Sequence, residues 1–92
     1  MPEVNFSVRW PDGSEQNCYS PSTIIQNYLQ PDTELSVEEF LTAATGGLNE
    51  ASERVRQKYG MACSSAMDQL QRIEQKSKKF SENDRMQVMR VG

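Results

Sequence analysis

SVEEFLTAATGGLNEASERVRQKYGMACSSAMDQLQRIEQKSKKF, residues 36–80, is the stretch that decides the fold. Ser36-Val37-Glu38-Glu39 is a capping box, in which a hydroxyl and a carboxylate three residues apart satisfy each other's backbone N–H groups at a helix start. Val37, Phe40, Leu41, Ala44, Leu48, Ala51, Val55 and Tyr59 then recur at helical spacing on one stripe. Glu50–Arg54 and Glu53–Arg56 support the outer face. Gly46-Gly47 costs roughly 1 kcal/mol per glycine relative to alanine. The stripe keeps its phase across the pair, so one continuous or gently kinked helix is expected, with the glycines admitting a close neighbour. Gly60 has the character of a residue just past a helix end. Ser64 or Ser65 caps a second helix, with Asp68 near its positive end. Its stripe is Ala66, Met67, Leu70, Ile73 and Phe80, with Cys63 and Ser77 on the same seam. A short connection between two matching stripes predicts an antiparallel helical hairpin over residues 36–80.

On the N-terminal side, residues 3–19 read as a β-hairpin. Val4, Phe6, Val8 and Trp10 alternate with Glu3, Asn5, Ser7 and Arg9, the period of a half-buried strand. Pro11-Asp12-Gly13 fits a three-residue loop, because proline presets φ and glycine accepts a positive one. That loop sets Trp10 opposite Ser14, Val8 opposite Gln16 and Phe6 opposite Cys18. A four-residue loop would instead bring Asn17 and Tyr19 to the apolar face; burying a thiol rather than an amide favours the first register. Residues 21–29 form a short helix, with Ser20 as N-cap, Pro21 at the first helical position, and Ile24, Ile25, Tyr28 and Leu29 on its apolar face. Pro31 stops it. Residues 81–92 are either a frayed tail or an edge strand beside the hairpin. The strand is favoured, since a lone two-stranded ribbon is marginal. The expected class is α+β, in a single domain: hairpin, short helix, long helical hairpin and a possible third strand.

The composition suits a small soluble domain with a lean core: 92 residues, 36% apolar and 25% charged. Such a chain buries only about 60–65% of its unfolded surface, so a partner or self-association surface fits. No run approaches the ~20 apolar residues of a membrane span. Met1-Pro2-Glu3-Val4-Asn5 lacks the basic and apolar regions of a secretory signal. A cytoplasmic location is expected, where the two cysteines, Cys18 and Cys63, stay reduced. Residues 1–50 carry eight acids against Arg9 alone, and residues 51–92 nine bases against five acids. Such halves attract each other within one fold or across a dimer.

The chain contains no histidine, which removes the commonest general base and the usual His-activated nucleophiles. Two cysteines 45 residues apart do not match zinc spacing, and no metal or cofactor is expected. Cys63, near a helix start and not far from Arg54, Arg56 and Lys58, is the candidate reactive thiolate, with Cys18 as a resolving partner or a bystander. Against this, a free cysteine commonly behaves as a small buried apolar side chain. Thr45-Gly46-Gly47 lacks the lysine and the preceding strand of a phosphate loop. Lys76, Lys78 and Lys79 complement a helix C-terminus and are the weaker candidates for nucleic acid. Arg9 and Trp10 are residue types favoured as interface anchors. With the exposed turn at Gly60 they form the candidate binding set, although for Trp10 a role closing the core over the helices is favoured.

Arg9-Trp10-Pro11-Asp12-Gly13-Ser14-Glu15, Cys18-Tyr19-Ser20-Pro21-Ser22, Ala51-Ser52-Glu53-Arg54-Val55-Arg56, Lys58-Tyr59-Gly60 and Ala62-Cys63-Ser64-Ser65-Ala66-Met67-Asp68-Gln69-Leu70 together resemble a family of small bacterial nitrogen-starvation-response proteins. The resemblance runs from about Val4 to Phe80. It implies genes placed beside a nitrilase-type hydrolase, a radical-SAM protein, an acetyltransferase and a flavoprotein, in clusters linked to the use of nitriles or cyanide as nitrogen sources. It supplies no catalytic residues. The expected function is a non-catalytic accessory protein that binds a co-encoded enzyme and can self-associate. A thiol enzyme or redox sensor using Cys63 and a nucleic-acid-binding regulator are the alternatives.

Overall fold

Alternation in residues 4–10 produces the strand it predicts. In the computed structural model, which describes residues 3–60 and 64–92, β1 (Val4–Arg9) and β2 (Glu15–Ser20) form an antiparallel hairpin. Its register sets Phe6 opposite Cys18 and Val8 opposite Gln16. The Trp10 N–H donates to the Ser14 carbonyl (2.8 Å) and the Gly13 N–H to the Trp10 carbonyl (2.9 Å), closing the three-residue loop. Gly13 takes φ +87°, which a side chain would resist.

The segment after the hairpin departs from expectation. Ser20 belongs to β2 and is buried, its hydroxyl donating to the Ser22 carbonyl. Ser22, not Ser20, caps the next element by accepting from the Ile24 N–H. That element is a 3-10 helix, Thr23–Asn27, shorter than the helix expected over 21–29. Two turn-forming serines compete here, and the strand claims the first. Beyond Pro31 an unforeseen short strand, β3 (Thr33–Ser36), leads directly into α1 (Val37–Tyr59).

α1 runs unbroken through Gly46-Gly47, with the full capping box at Ser36 and Glu39. Its first N–H groups are also met by the chain that follows the second helix: Val37 N–H donates to Asp84 O and Glu38 N–H to Glu82 O. Gly60 ends α1 at φ +79°, its N–H donating to Arg56 O. The second helix, α2 (Ser64–Ser77), returns alongside α1 and takes in both Ser64 and Ser65, the residues expected to cap it. Two stripe assignments fail: Tyr59 is 60% and Met67 38% exposed, whereas Ala66, beside Met67, takes the buried position. Glu53 pairs with Arg56 as expected, whereas Glu50 accepts from the Tyr28 hydroxyl instead of meeting Arg54.

Residues 85–91 form β4 (Arg85–Val91), a full strand rather than a tail. It is not an edge strand. The sheet order is β2-β1-β4-β3, antiparallel throughout, so β4 lies inside, pairing with β1 on one flank and β3 on the other. The architecture is α+β, four strands with two helices on one face. Among the described residues no helix is long and apolar enough to cross a membrane.

One core fills the space between sheet and helices. Phe6, Val8, Cys18, Met86 and Val88 from the sheet meet Phe40, Ala44, Leu48, Leu70 and Ile73 from the helices. Trp10 sits at its end, 1% exposed, stacked on Phe80 and edge-on to Phe40, each with ring centroids 5.6 Å away. The opposite face of the sheet is uncovered.

Candidate interaction surface

The outward residues of β1 and its neighbours define the uncovered face, since cross-strand partners share a side. At the hairpin end these are Arg9, with Glu15 opposite it on β2 and Gln87 on β4, then Glu34 on β3. Arg9 lies 3.3 Å from Glu15. Arg85 bridges Glu34 at 2.9 Å and reaches Glu39, at the start of α1, at 3.7 Å. A shallow cavity of about 240 Å³ opens among Arg9, Trp10, Pro11, Glu34, Arg85 and Gln87. The ion pairs are solvent-exposed, so they add little to folding and are available for exchange with another partner.

The sequence-derived site residues do not converge. Arg9 is exposed and fits a surface role. Trp10 does not: its ring is buried between Phe40 and Phe80, and its indole N–H donates to Gln16 Oε1 at 2.8 Å. The interface-anchor reading of that ring is corrected to a core role. Gly60 is exposed, but it closes a 23-residue helix that starts beside Arg85. At 1.5 Å per residue that is roughly 34 Å away. Arg9 and Gly60 therefore belong to different surfaces.

Cys18 is 2% exposed and free, and burial pushes its thiol up to about 12. A thiol in that state supplies almost no thiolate at neutral pH. Cys63, the thiol favoured from the sequence, lies outside the described residues. Lys76 and Lys79 stand with Arg72 along one side of α2, facing Glu15 and Gln16 across a 360 Å³ cleft. Arg72 is paired with Asp68 at 3.1 Å, and no aromatic side chain lines the cleft, so a stacking platform for bases is missing there. Among the described residues no cluster of three His, Cys, Asp or Glu could hold a metal ion.

Sequence reasoning missed Arg85, Glu34 and Arg90. Their common face depends on the β3–β4 pairing and on the register of β4. Only the alternation Met86, Val88 hinted at either. No match is found among curated proteins or solved structures. The model of the family described as nitrogen starvation-induced protein NitG matches residues 5–91, which take in nearly all of the helix-and-sheet unit, and the chain belongs to that family.

Proposed function

We propose that this member of the nitrogen starvation-induced family is a non-catalytic accessory protein of nitrile or cyanide nitrogen scavenging, and that it binds an enzyme encoded beside it. The supporting observation is the hairpin end of the uncovered sheet face. There Arg9, Glu15, Glu34, Arg85 and Gln87 stand on a four-stranded scaffold pinned from behind by Trp10. Rigid elements presenting paired but exposed charges favour recognition of a complementary charged surface over chemistry. The thiol alternative draws no support from Cys18, whose burial removes it from the role of resolving partner.

The test is titration of the purified protein with the nitrilase-type hydrolase that the family resemblance places beside it. A defined complex is expected, weakened at least about tenfold by Arg9→Glu with Arg85→Glu, corresponding to about 1.4 kcal/mol. Gly60→Asn, which tolerates a left-handed backbone, probes the far end. A complex indifferent to all three changes removes this surface assignment.

A further inference from the structure

One cross-strand row further along the same open face, β4 contains a device that the partner-binding reading does not use. Val8 pairs with Val88 and Arg9 with Gln87, but Ser7 pairs with Arg90 and Phe6 with Val91. One extra residue, Met89, is inserted between the two registers. Without it Arg90 would stand opposite Phe6, which is 1% exposed on the core side. A one-residue slip exchanges the two faces of a strand. The bulge therefore turns Arg90 out to the open face and returns Val91 to the core side, and re-aiming a side chain is a recurrent use of bulges.

The surroundings of Arg90 differ from those of the other arginines on the sheet. Arg9 and Arg85 are each held by carboxylates. Arg90 pairs with no Asp or Glu side chain among the described residues, and no Asp or Glu side chain lines its cavity of about 380 Å³. The lining is Asn5, Ser7, Asn17 and Arg90, with the backbone of Phe6 and Gly92. Asn17, Ser7 and Arg90 form a row across β2, β1 and β4 in direct cross-strand opposition. A guanidinium, a hydroxyl and two amides thus converge as donors, uncommitted to other described side chains. Planar or tetrahedral oxyanions are what a guanidinium fork with auxiliary neutral donors recognises.

We propose that this row is a binding site for a small oxyanion-bearing molecule, a carboxylate or a phosphate, with Arg90 as the charged ligand and Ser7 and Asn17 as the orienting donors. The site adjoins the protein-partner surface, one cross-strand row further from the hairpin loop. It is tested with ¹⁵N-labelled protein in a buffer free of both anions, titrated separately with acetate, glutamate and inorganic phosphate while the Arg90 Nε–H and the Ser7 and Asn17 signals are followed. Saturable shifts confined to this row are expected in at least one arm; the acetate and glutamate arms identify a carboxylate ligand and the phosphate arm a phosphoryl one. Arg90→Gln is expected to weaken binding at least about tenfold. Because these side chains are exposed, Asn17→Ala is expected to weaken it severalfold without moving the unfolding temperature. Absence of saturable shifts up to concentrations on the order of 10 mM overturns the proposal. Binding of equal strength in Arg90→Gln overturns it as well.

Discussion

Cys18 shows how one side chain can be fixed by its neighbour across a strand pair. It faces Phe6, and the core that forms around that pair excludes water from the sulfur. The thiol has to remain neutral there, which raises its titration from 9.0 to about 12. An acid whose folded titration is raised stabilises the fold fully below its unfolded value, and that stability is lost as pH rises through the folded one. Stability is therefore expected to fall between about pH 9 and 12, with a slope of at most about 1.4 kcal/mol per pH unit from this group. Tyr28, whose titration is raised by donating its hydroxyl to Glu50, acts in the same direction. The comparison that isolates the thiol is denaturant unfolding of wild type and Cys18→Ala across that pH range, where the variant is expected to show the shallower decline. Alkylation of Cys18 at neutral pH is expected only after unfolding.

At the scale of elements, the two adjacent glycines of α1 both face the ring of Tyr28, and Gly47 meets Ile25 as well. A Cβ on Gly47 would stand 2.5 Å from Ile25 Cδ1, and Ile25 is completely buried with no room to retreat. The nearest atoms to a Cβ on Gly46 belong to the ring of Tyr28, at 2.9 Å, and Tyr28 is 40% exposed, so it can shift outward at the cost of its bond to Glu50. Alanine gains about 1 kcal/mol of helix propensity at either site. Overpacking costs about 1–3 kcal/mol where the core cannot yield. Thermal unfolding is thus expected to show Gly46→Ala near neutral or slightly stabilising and Gly47→Ala destabilising. The close approach was legible from the unbroken stripe around Thr45-Gly46-Gly47, and the hairpin register from Pro11-Asp12-Gly13. β3 was not legible, because Thr33-Glu34-Leu35-Ser36 offers one apolar residue and takes its partner from residues 85–88. The placement of Arg90 was hidden for a related reason: a bulge is set by fit between strands, and Val88-Met89-Arg90-Val91 reads equally well with or without it. The core-closing role of Trp10 was legible as the favoured one, whereas its ring partners Phe40 and Phe80, distant in sequence, were not.

Across the whole molecule the sheet is assembled from distant parts of the chain. β1 and β4, its two middle strands, are the first and last elements, and β3 has β4 as its strand neighbour. A chain ending at Asp84 would lose Met86 and Val88 from the core and leave β1 and β3 without their shared partner. That truncation is expected to abolish the cooperative unfolding transition measured by circular dichroism; a retained sharp transition would contradict the sheet order. The same arrangement governs how the protein is made. While β4 is still inside the ribosomal exit tunnel, the hairpin has a bare flank and the helices have half a sheet to rest on. Translation must deliver β4 before the fold can close, so until that strand emerges the nascent hairpin and helices stay in the form that chaperones and proteases recognise.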